Sequence, residues 1–159
     1  MSDKHLSVLG VGPLYVATIL IITCIVVVLN LNGKLPVYEF SVPLLSILIG
    51  IVLIIIGVAL WVSAVVSSKL IAKIKENTLI TDGVFSYVRN PIYSAFLFFS
   101  TGVIAITNNM ILLIIPVIYW IFLTFLMINT EEKWLRNIYK NEYDEYCKKV
   151  NRCIPMIRK

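Results

Sequence analysis

The sequence is short of charge and nearly devoid of histidine. Of its 159 residues 14% are Asp, Glu, Lys or Arg, against about a quarter in soluble globular domains. So few charges leave little polar surface to solvate a chain that is 59% hydrophobic, with a mean hydropathy of +0.90. The single histidine, His5, argues against a histidine-based catalytic centre and against a histidine-rich metal site. Cys24, Cys147 and Cys153 are odd in number and irregularly spaced. They fit neither a disulfide framework nor a zinc site, and no metal is expected. Acidic residues are also scarce, 9 against 14 Lys and Arg, for a net charge of +5. No basic helix or aromatic RNA-binding motif accompanies that excess, so nucleic acid is not the expected partner. In a membrane protein the same excess marks the cytoplasmic face, where basic residues meet anionic lipid.

What the chain does have is long apolar runs. They fall at about 13–31, 43–66, 91–107 and 110–128. Runs near twenty residues span the hydrocarbon core, and the third run needs flanking residues to do so. The first is long for a signal-peptide core and lacks a small-x-small cleavage site, so it reads as a span. In the second, Ser46, Gly50, Gly57 and Ala64 recur at spacings of four and seven, which puts small residues on one face for close helix approach. Thr107-Asn108-Asn109 makes a tight turn, so the third and fourth runs form a hairpin. Pro116 is positioned to kink the fourth. The expected fold is an all-α polytopic bundle of about four transmembrane helices, residues 1–159 forming one domain.

Lysine and arginine set the orientation. Lys69, Lys73, Lys75 and Arg89 lie between runs two and three, and eight more follow run four, whereas the other two loops share only Lys34. Loop 77–93, tail 129–159 and both termini are therefore expected in the cytoplasm. The membrane would be the plasma membrane in a prokaryote and the endoplasmic reticulum in a eukaryote. In the tail, Leu135, Tyr139, Tyr143, Tyr146 and Val150 keep helical spacing, which predicts one or two amphipathic helices. Asn129 with Glu132, and more loosely Asn141 with Asp144, have capping-box spacing.

The loop NTLITDGVFSYVRNPIY, residues 77–93, is the longest polar interruption before the tail. Asn90 before Pro91 reads as an N-cap with proline at the first helical position. The hairpin should bring Asn90 near Glu132, which gathers an arginine, amides, aromatics and two carboxylates at one pocket. Each also has a structural reading: Arg89 as a positive-inside anchor, Tyr93 as an interface aromatic, and Glu131 and Glu132 as solvated residues of the tail helix.

The loop resembles that of the isoprenylcysteine carboxyl methyltransferases and related phospholipid methyltransferases. The matching residues are Asn77, Thr78, Leu79, Ile80, Thr81, Gly83, Phe85, Arg89, Asn90, Pro91 and Tyr93. Glu131-Glu132, Tyr143, Tyr146 and Val150 through Ile154-Pro155 extend the match. The resemblance implies S-adenosylmethionine as methyl donor. It would be held by Asn77, Thr78, Leu79, Ile80, Phe85, Asn90, Pro91, Ile92, Tyr93 and Glu132. It also implies a lipid-like acceptor entering from the bilayer. Arg89, Glu131 and Tyr93 are the candidate catalytic residues. Asparagines stand at 77 and 90 where the family pattern has histidine, and Phe85 replaces a tyrosine. Ile128 stands where the carboxyl methyltransferases place an arginine toward the substrate carboxylate. A phospholipid amine or a phenolic lipid is thus also open as acceptor, and either must lose a proton, with Glu131, Tyr87, Tyr93 or bulk water as the candidate bases. A membrane reductase using NADPH, or a non-catalytic membrane protein, is the competing reading.

Overall fold

In a computed structural model, residues 11–67 and 78–156 are described. Lys69, Lys73, Lys75, His5 and Asn77 lie outside them. The described residues are helical, apart from turns and two isolated bridge pairings. Helix α1 is Gly12–Leu31 and α2 is Pro43–Val62, continued by a π-helical turn at Ser63–Ser67. Helix α3 is Pro91–Ile106 and α4 is Ile114–Asn129, preceded by a 3-10 turn at Met110–Leu113. Two short helices, α5 at Glu131–Tyr139 and α6 at Asn141–Lys149, form the tail. Each of the four long helices falls on one of the apolar runs.

Three stretches are long and apolar enough to cross a membrane: Gly12–Leu31, Pro43–Val66 and Met110–Tyr139. The last of these departs from helical geometry at Thr130 (φ −121°, ψ −90°), where α4 gives way to α5. Helix α3, with 16 residues, is about 24 Å long, short of the roughly 30 Å hydrocarbon core. It is instead the axis of the bundle, with nine of its residues buried against four in α2 and three in α1. The outer helices turn leucine, isoleucine and valine outward, among them Leu44, Leu48, Ile55, Ile118 and Ile121. That is a stable surface only where lipid is the solvent, and the chain is an integral membrane protein.

Helices α2 and α3 meet backbone to backbone along the small-residue face. A Cβ on Gly57 would lie 2.6 Å from the carbonyl oxygen of Ala95, and one on Gly102 2.5 Å from that of Gly50. At the end of this seam Ser46 Oγ donates to the Ala105 carbonyl at 2.6 Å. Helix α1 is fastened differently, by polar and aromatic contacts. Thr23 and Tyr119 hydroxyls are 3.0 Å apart, and Asn109 Nδ2 donates to Asn30 Oδ1 at 2.7 Å. Asn109 also donates to the Pro36 carbonyl at 2.9 Å and accepts from the Tyr38 N–H at 3.2 Å. It thereby closes the end of the bundle opposite the tail. In hydrocarbon such groups have no water to fall back on, so they bond one another.

Three local expectations need correction. Pro116 does not kink the middle of a helix. It lies in the first turn of α4, where its missing N–H has no intrahelical partner to lose, and the irregular turn precedes it. The capping boxes do not form. Asn129 Nδ2 donates back to the Phe125 carbonyl at 2.7 Å, and the Thr130 hydroxyl donates to the Leu126 carbonyl at 2.6 Å. Helix α6 starts after Lys140 at φ +47° with no side-chain cap. The chain bends too sharply between α4, α5 and α6 for either box.

The α2–α3 seam leaves no room for a methyl group. Gly57→Ala should destabilise the protein by about 1–3 kcal/mol, the usual penalty of overpacking, read as a lower melting temperature in detergent. Exposed Val58→Ala should shift it far less.

Candidate functional site

The candidate residues meet at the tail end of the bundle. Gly83 takes φ +57°, a conformation that favours glycine, and starts a 3-10 turn, Gly83–Ser86. This turn buries Phe85, whose carbonyl accepts a 2.6 Å hydrogen bond from the Tyr146 hydroxyl on α6. Leu79 packs against Tyr143, Tyr146 and Val150. The segment after α6 then runs alongside the loop. Val88 bridges Asn151 in parallel, the Arg89 N–H donates to the Asn151 carbonyl at 2.9 Å, and the Asn90 N–H donates to the Arg152 carbonyl at 3.2 Å. Loop, α6 and C-terminal segment thus form one unit at the mouth of α3.

Glu132 is the hub of that unit and is 2% exposed. Arg152 grips it with both arms of the guanidinium, Nε to Oε1 at 2.6 Å and Nη2 to Oε2 at 3.0 Å. Arg89 Nη2 lies 3.3 Å from the same Oε1. Burial by itself would raise the Glu132 carboxyl. The Arg152 hydrogen bond and the charges of Arg89, Arg152 and Arg136 outweigh it and hold the group below its ordinary range. Arg89 is itself 9% exposed in its side chain. Its Nη1 donates to Cys147 Sγ and comes within 3.5 Å of the Tyr143 hydroxyl, whose ring centroid lies 5.9 Å from Cζ. Its Nε is buried with no partner. Burial and the nearby Glu132 charge raise the Tyr143 phenol, so it stays a neutral donor.

Glu131, the adjacent carboxylate, has a separate set of partners. Its Oε1 accepts from the Tyr93 hydroxyl and from the Val11 N–H at 3.0 Å. Val11 precedes α1, so the carboxylate sits at a helix N-terminus, where negative charge is favoured. The two neighbouring glutamates therefore face different elements, α1 and α3 for Glu131, the loop and C-terminal segment for Glu132.

The structure brings Arg89, Asn90, Pro91, Tyr93, Glu131 and Glu132 together. Phe85 lies beneath Tyr146, Leu79 and Ile80 are half-buried, Ile92 is half-buried on α3, and Thr78 is exposed. Tyr87 is exposed, and its carbonyl accepts from the Met156 N–H at 3.1 Å. Asn90 precedes α3 as expected, but its side chain makes no cap. Nδ2 donates instead to the Arg152 carbonyl at 3.2 Å, and the first turn of α3 is left without a side-chain cap from Asn90. Ile128, on α4, is 46% exposed and faces away from the core. Arginine chemistry reaches the site from Arg152, which sequence reasoning counted only as a tail charge. The signal was its place inside the Val150 to Pro155 motif.

A cavity of about 590 Å³ opens beside α6, lined by Arg136, Asn141, Asp144, Glu145, Cys147 and Lys148. Its walls carry two exposed ion pairs, Arg136–Asp144 at 3.1 Å and Lys148–Glu145 at 2.6 Å. It holds none of the residues expected to bind a donor, and adjoins the arginine cluster through Cys147 and Arg136.

A family model described as phospholipid methyltransferase matches residues 45–142. The protein-S-isoprenylcysteine O-methyltransferase of Schizosaccharomyces pombe is 34% identical over 96 residues, 60% of this chain and 39% of that protein. A probable protein-S-isoprenylcysteine O-methyltransferase of Oryza sativa subsp. japonica is 32% identical over 117 residues, 69% of this chain and 61% of the relative. That of Saccharomyces cerevisiae is 30% identical over 132 residues, 78% and 54% respectively. The matches thus cover from about two fifths to three fifths of these relatives' own length. No solved structure matches the chain significantly.

Removing Glu132 would leave two guanidiniums facing each other. Glu132→Ala should destabilise the protein by about 3–5 kcal/mol, the range for breaking a buried pair from one side. The depressed carboxyl also fixes a pH dependence. Its contribution is complete above the ordinary carboxyl value of 4.5 and is lost as pH falls below that toward the lower folded value. Melting temperature against pH should therefore drop on the acid side for the wild type, and Glu132→Gln should flatten that drop.

Proposed function

Since this chain belongs to the phospholipid methyltransferase family, we propose that it is a membrane methyltransferase, using S-adenosylmethionine to methylate a lipid-like acceptor. The observation that carries the reading is the convergence of Arg89, Asn90, Pro91 and Tyr93 with Glu131 and Glu132 at one end of the bundle. Helix packing joins stretches forty residues apart in sequence, as the motif resemblance requires.

The residues present suit such a donor. It carries a carboxylate, an ammonium and a sulfonium. The first turn of α3 has no side-chain cap, and Arg89 Nε has no partner. Both are free donors for a carboxylate. Aromatic rings of Phe85, Tyr143 and Tyr146 line the same region and favour cations. The backbone of Thr78, Leu79 and Ile80, following Asn77, would meet the adenine. Bound there, the donor supplies a methyl group on a positively charged sulfur. Glu132, with both oxygens engaged by arginine, orients Arg89 and Arg152.

On the acceptor side, Glu131 and Tyr93 form a hydrogen-bonded pair at the tail end of the bundle. A carboxylate acceptor needs no base. An amine or a phenol must shed a proton, and Glu131 is the carboxylate placed to receive it through the Tyr93 hydroxyl. An acceptor with a hydrocarbon tail would enter sideways, its tail remaining in lipid while this end excludes water from the transfer. Among the described residues, Arg89, Lys133, Arg136, Lys140, Lys148, Lys149 and Arg152 lie at this end, and Lys34 at the other. The site is accordingly assigned to the cytoplasmic side.

Calorimetric titration of the detergent-purified protein tests the reading. S-adenosylhomocysteine should bind at micromolar affinity and NADPH should not. Arg89→Lys, which keeps the charge but loses the fork and Nε, should weaken that binding about tenfold. Binding of NADPH alone would replace the methyltransferase reading with a reductase.

A further inference from the structure

Tyr93 and Glu131, the pair on the acceptor side, are met by a third element, the first turn of α1. The Val11 N–H donates to Glu131 Oε1 at 3.0 Å, the same oxygen that accepts from the Tyr93 hydroxyl. Gly12 lies directly against that hydroxyl. A Cβ there would stand 3.1 Å from Tyr93 Oη and 3.4 Å from Cε1. One turn further on, the Tyr15 ring meets the Tyr93 ring edge-on at 5.8 Å and is itself stacked on Phe122 at 5.9 Å.

Each contact removes a freedom from the pair. A carboxylate turns about its last bond, and a donor of fixed direction holds Oε1 toward α3. The Val11 N–H has such a direction, because the Val11 carbonyl already accepts from the Tyr15 N–H at 3.1 Å. The Tyr93 side chain is confined by the Tyr15 ring on one side and the Gly12 backbone on another. Only glycine lets α1 come this close, since a side chain at 12 would displace the hydroxyl by a few tenths of an ångström. Further along, Thr23–Tyr119 and Asn30–Asn109 fix α1 to the bundle, so its first turn keeps its place over the pair. Proton transfer works only within hydrogen-bond reach, and small misplacements are costly in rate.

We propose that the first turn of α1 is a positioning element for proton removal, in which Gly12 and the Val11 N–H hold the Tyr93 hydroxyl on Glu131 Oε1. The acceptor's N–H or O–H bond breaks and its proton goes to Tyr93 Oη, while the hydroxyl's own proton passes to Glu131 Oε1. The acceptor's freed lone pair bonds to the methyl carbon, and the former S–C pair stays on the donor's sulfur. Gly12 and Val11 act through Tyr93 and Glu131. They lie outside the matched span 45–142, so the family pattern does not assign them. This rests on the methyltransferase reading and adds to it how its base is set.

The test measures transfer of labelled methyl from S-adenosylmethionine in detergent to three lipids: phosphatidylethanolamine, a prenylated phenol, and S-farnesylcysteine, whose carboxylate needs no base. With the amine or the phenol, Gly12→Ala should lower kcat about tenfold and leave KM for S-adenosylmethionine near the wild-type value. In a Tyr93→Phe background, where the hydroxyl is gone, the same change should cost nothing further. Val11→Pro removes the N–H at φ −89°, close to the value proline imposes. It should lower kcat about tenfold, well beyond Val11→Ala, which keeps the donor. An unchanged kcat, an additive loss in the Tyr93→Phe background, or a rise in the acceptor's KM in place of the kcat loss overturns the proposal. So does an equal loss on S-farnesylcysteine, or transfer to that lipid alone. With no acceptor present, the infrared carboxylate band that Glu131→Gln removes should shift in Val11→Pro, and an unshifted band also overturns the proposal. Failure of the methyltransferase reading shows separately, as wild type that does not bind S-adenosylhomocysteine.

Discussion

A single buried carboxylate shared by two arginines holds the tail end of this protein together. Glu132 belongs to α5, Arg89 to the loop before α3, and Arg152 to the segment after α6. These pieces also share one small apolar cluster, Tyr143, Tyr146 and Val150 with Leu79 and Leu135. The ion pairs, together with the bridge between Val88 and Asn151, fix them relative to one another. A buried pair of this kind adds little net stability, since desolvation opposes the Coulomb gain. What it adds is position, because any other arrangement would strand a charge away from water. The guanidinium forks and the backbone at the mouth of α3 are thereby set in one geometry.

The bundle behind this end answers to a different constraint. With lipid as solvent, apolar burial gives helices no reason to associate, so packing depends on close backbone approach and on polar contacts. Helices α2 and α3 use the first, through Gly57 and Gly102. Helix α1 uses the second, from Glu131 at one end through Thr23–Tyr119 to Asn30–Asn109 at the other. The two kinds of seam differ in what they tolerate. The glycine seam is rigid, since opening it separates two backbones. The α1 seam consists of longer side chains, Tyr15 on Phe122 and Thr23 on Tyr119, and brings no two backbones into such close contact.

Those constraints shape the proposed chemistry. Methyl transfer needs acceptor and donor held in line, with water excluded, more than it needs strong acid or base. An end built from fixed arginines, buried phenols and a glutamate–tyrosine pair meets that need without histidine. The carboxylates divide the work. Glu132 orders the arginines, and Glu131 faces α1 and Tyr93 of α3.

The sequence by itself determined the apolar runs, their boundaries, the hairpin, the small-residue face of α2 and the amphipathic tail. These are set by local periodicity and by the length needed to cross a bilayer, and both are written in consecutive residues. The motif residues were legible for the same reason, as short spacings within the loop and around Glu131-Glu132. Only the tertiary structure decided which partner each took. The Asn90 side chain turned from capping α3 to the Arg152 carbonyl, and neighbouring glutamates separated to opposite sides. Arg152 became the arginine of the site while Ile128 faced outward. Tyr15 was left with an unpartnered hydroxyl inside the bundle. Such outcomes depend on which distant groups the packed structure brings within hydrogen-bonding reach of a buried charge, and no local pattern records that.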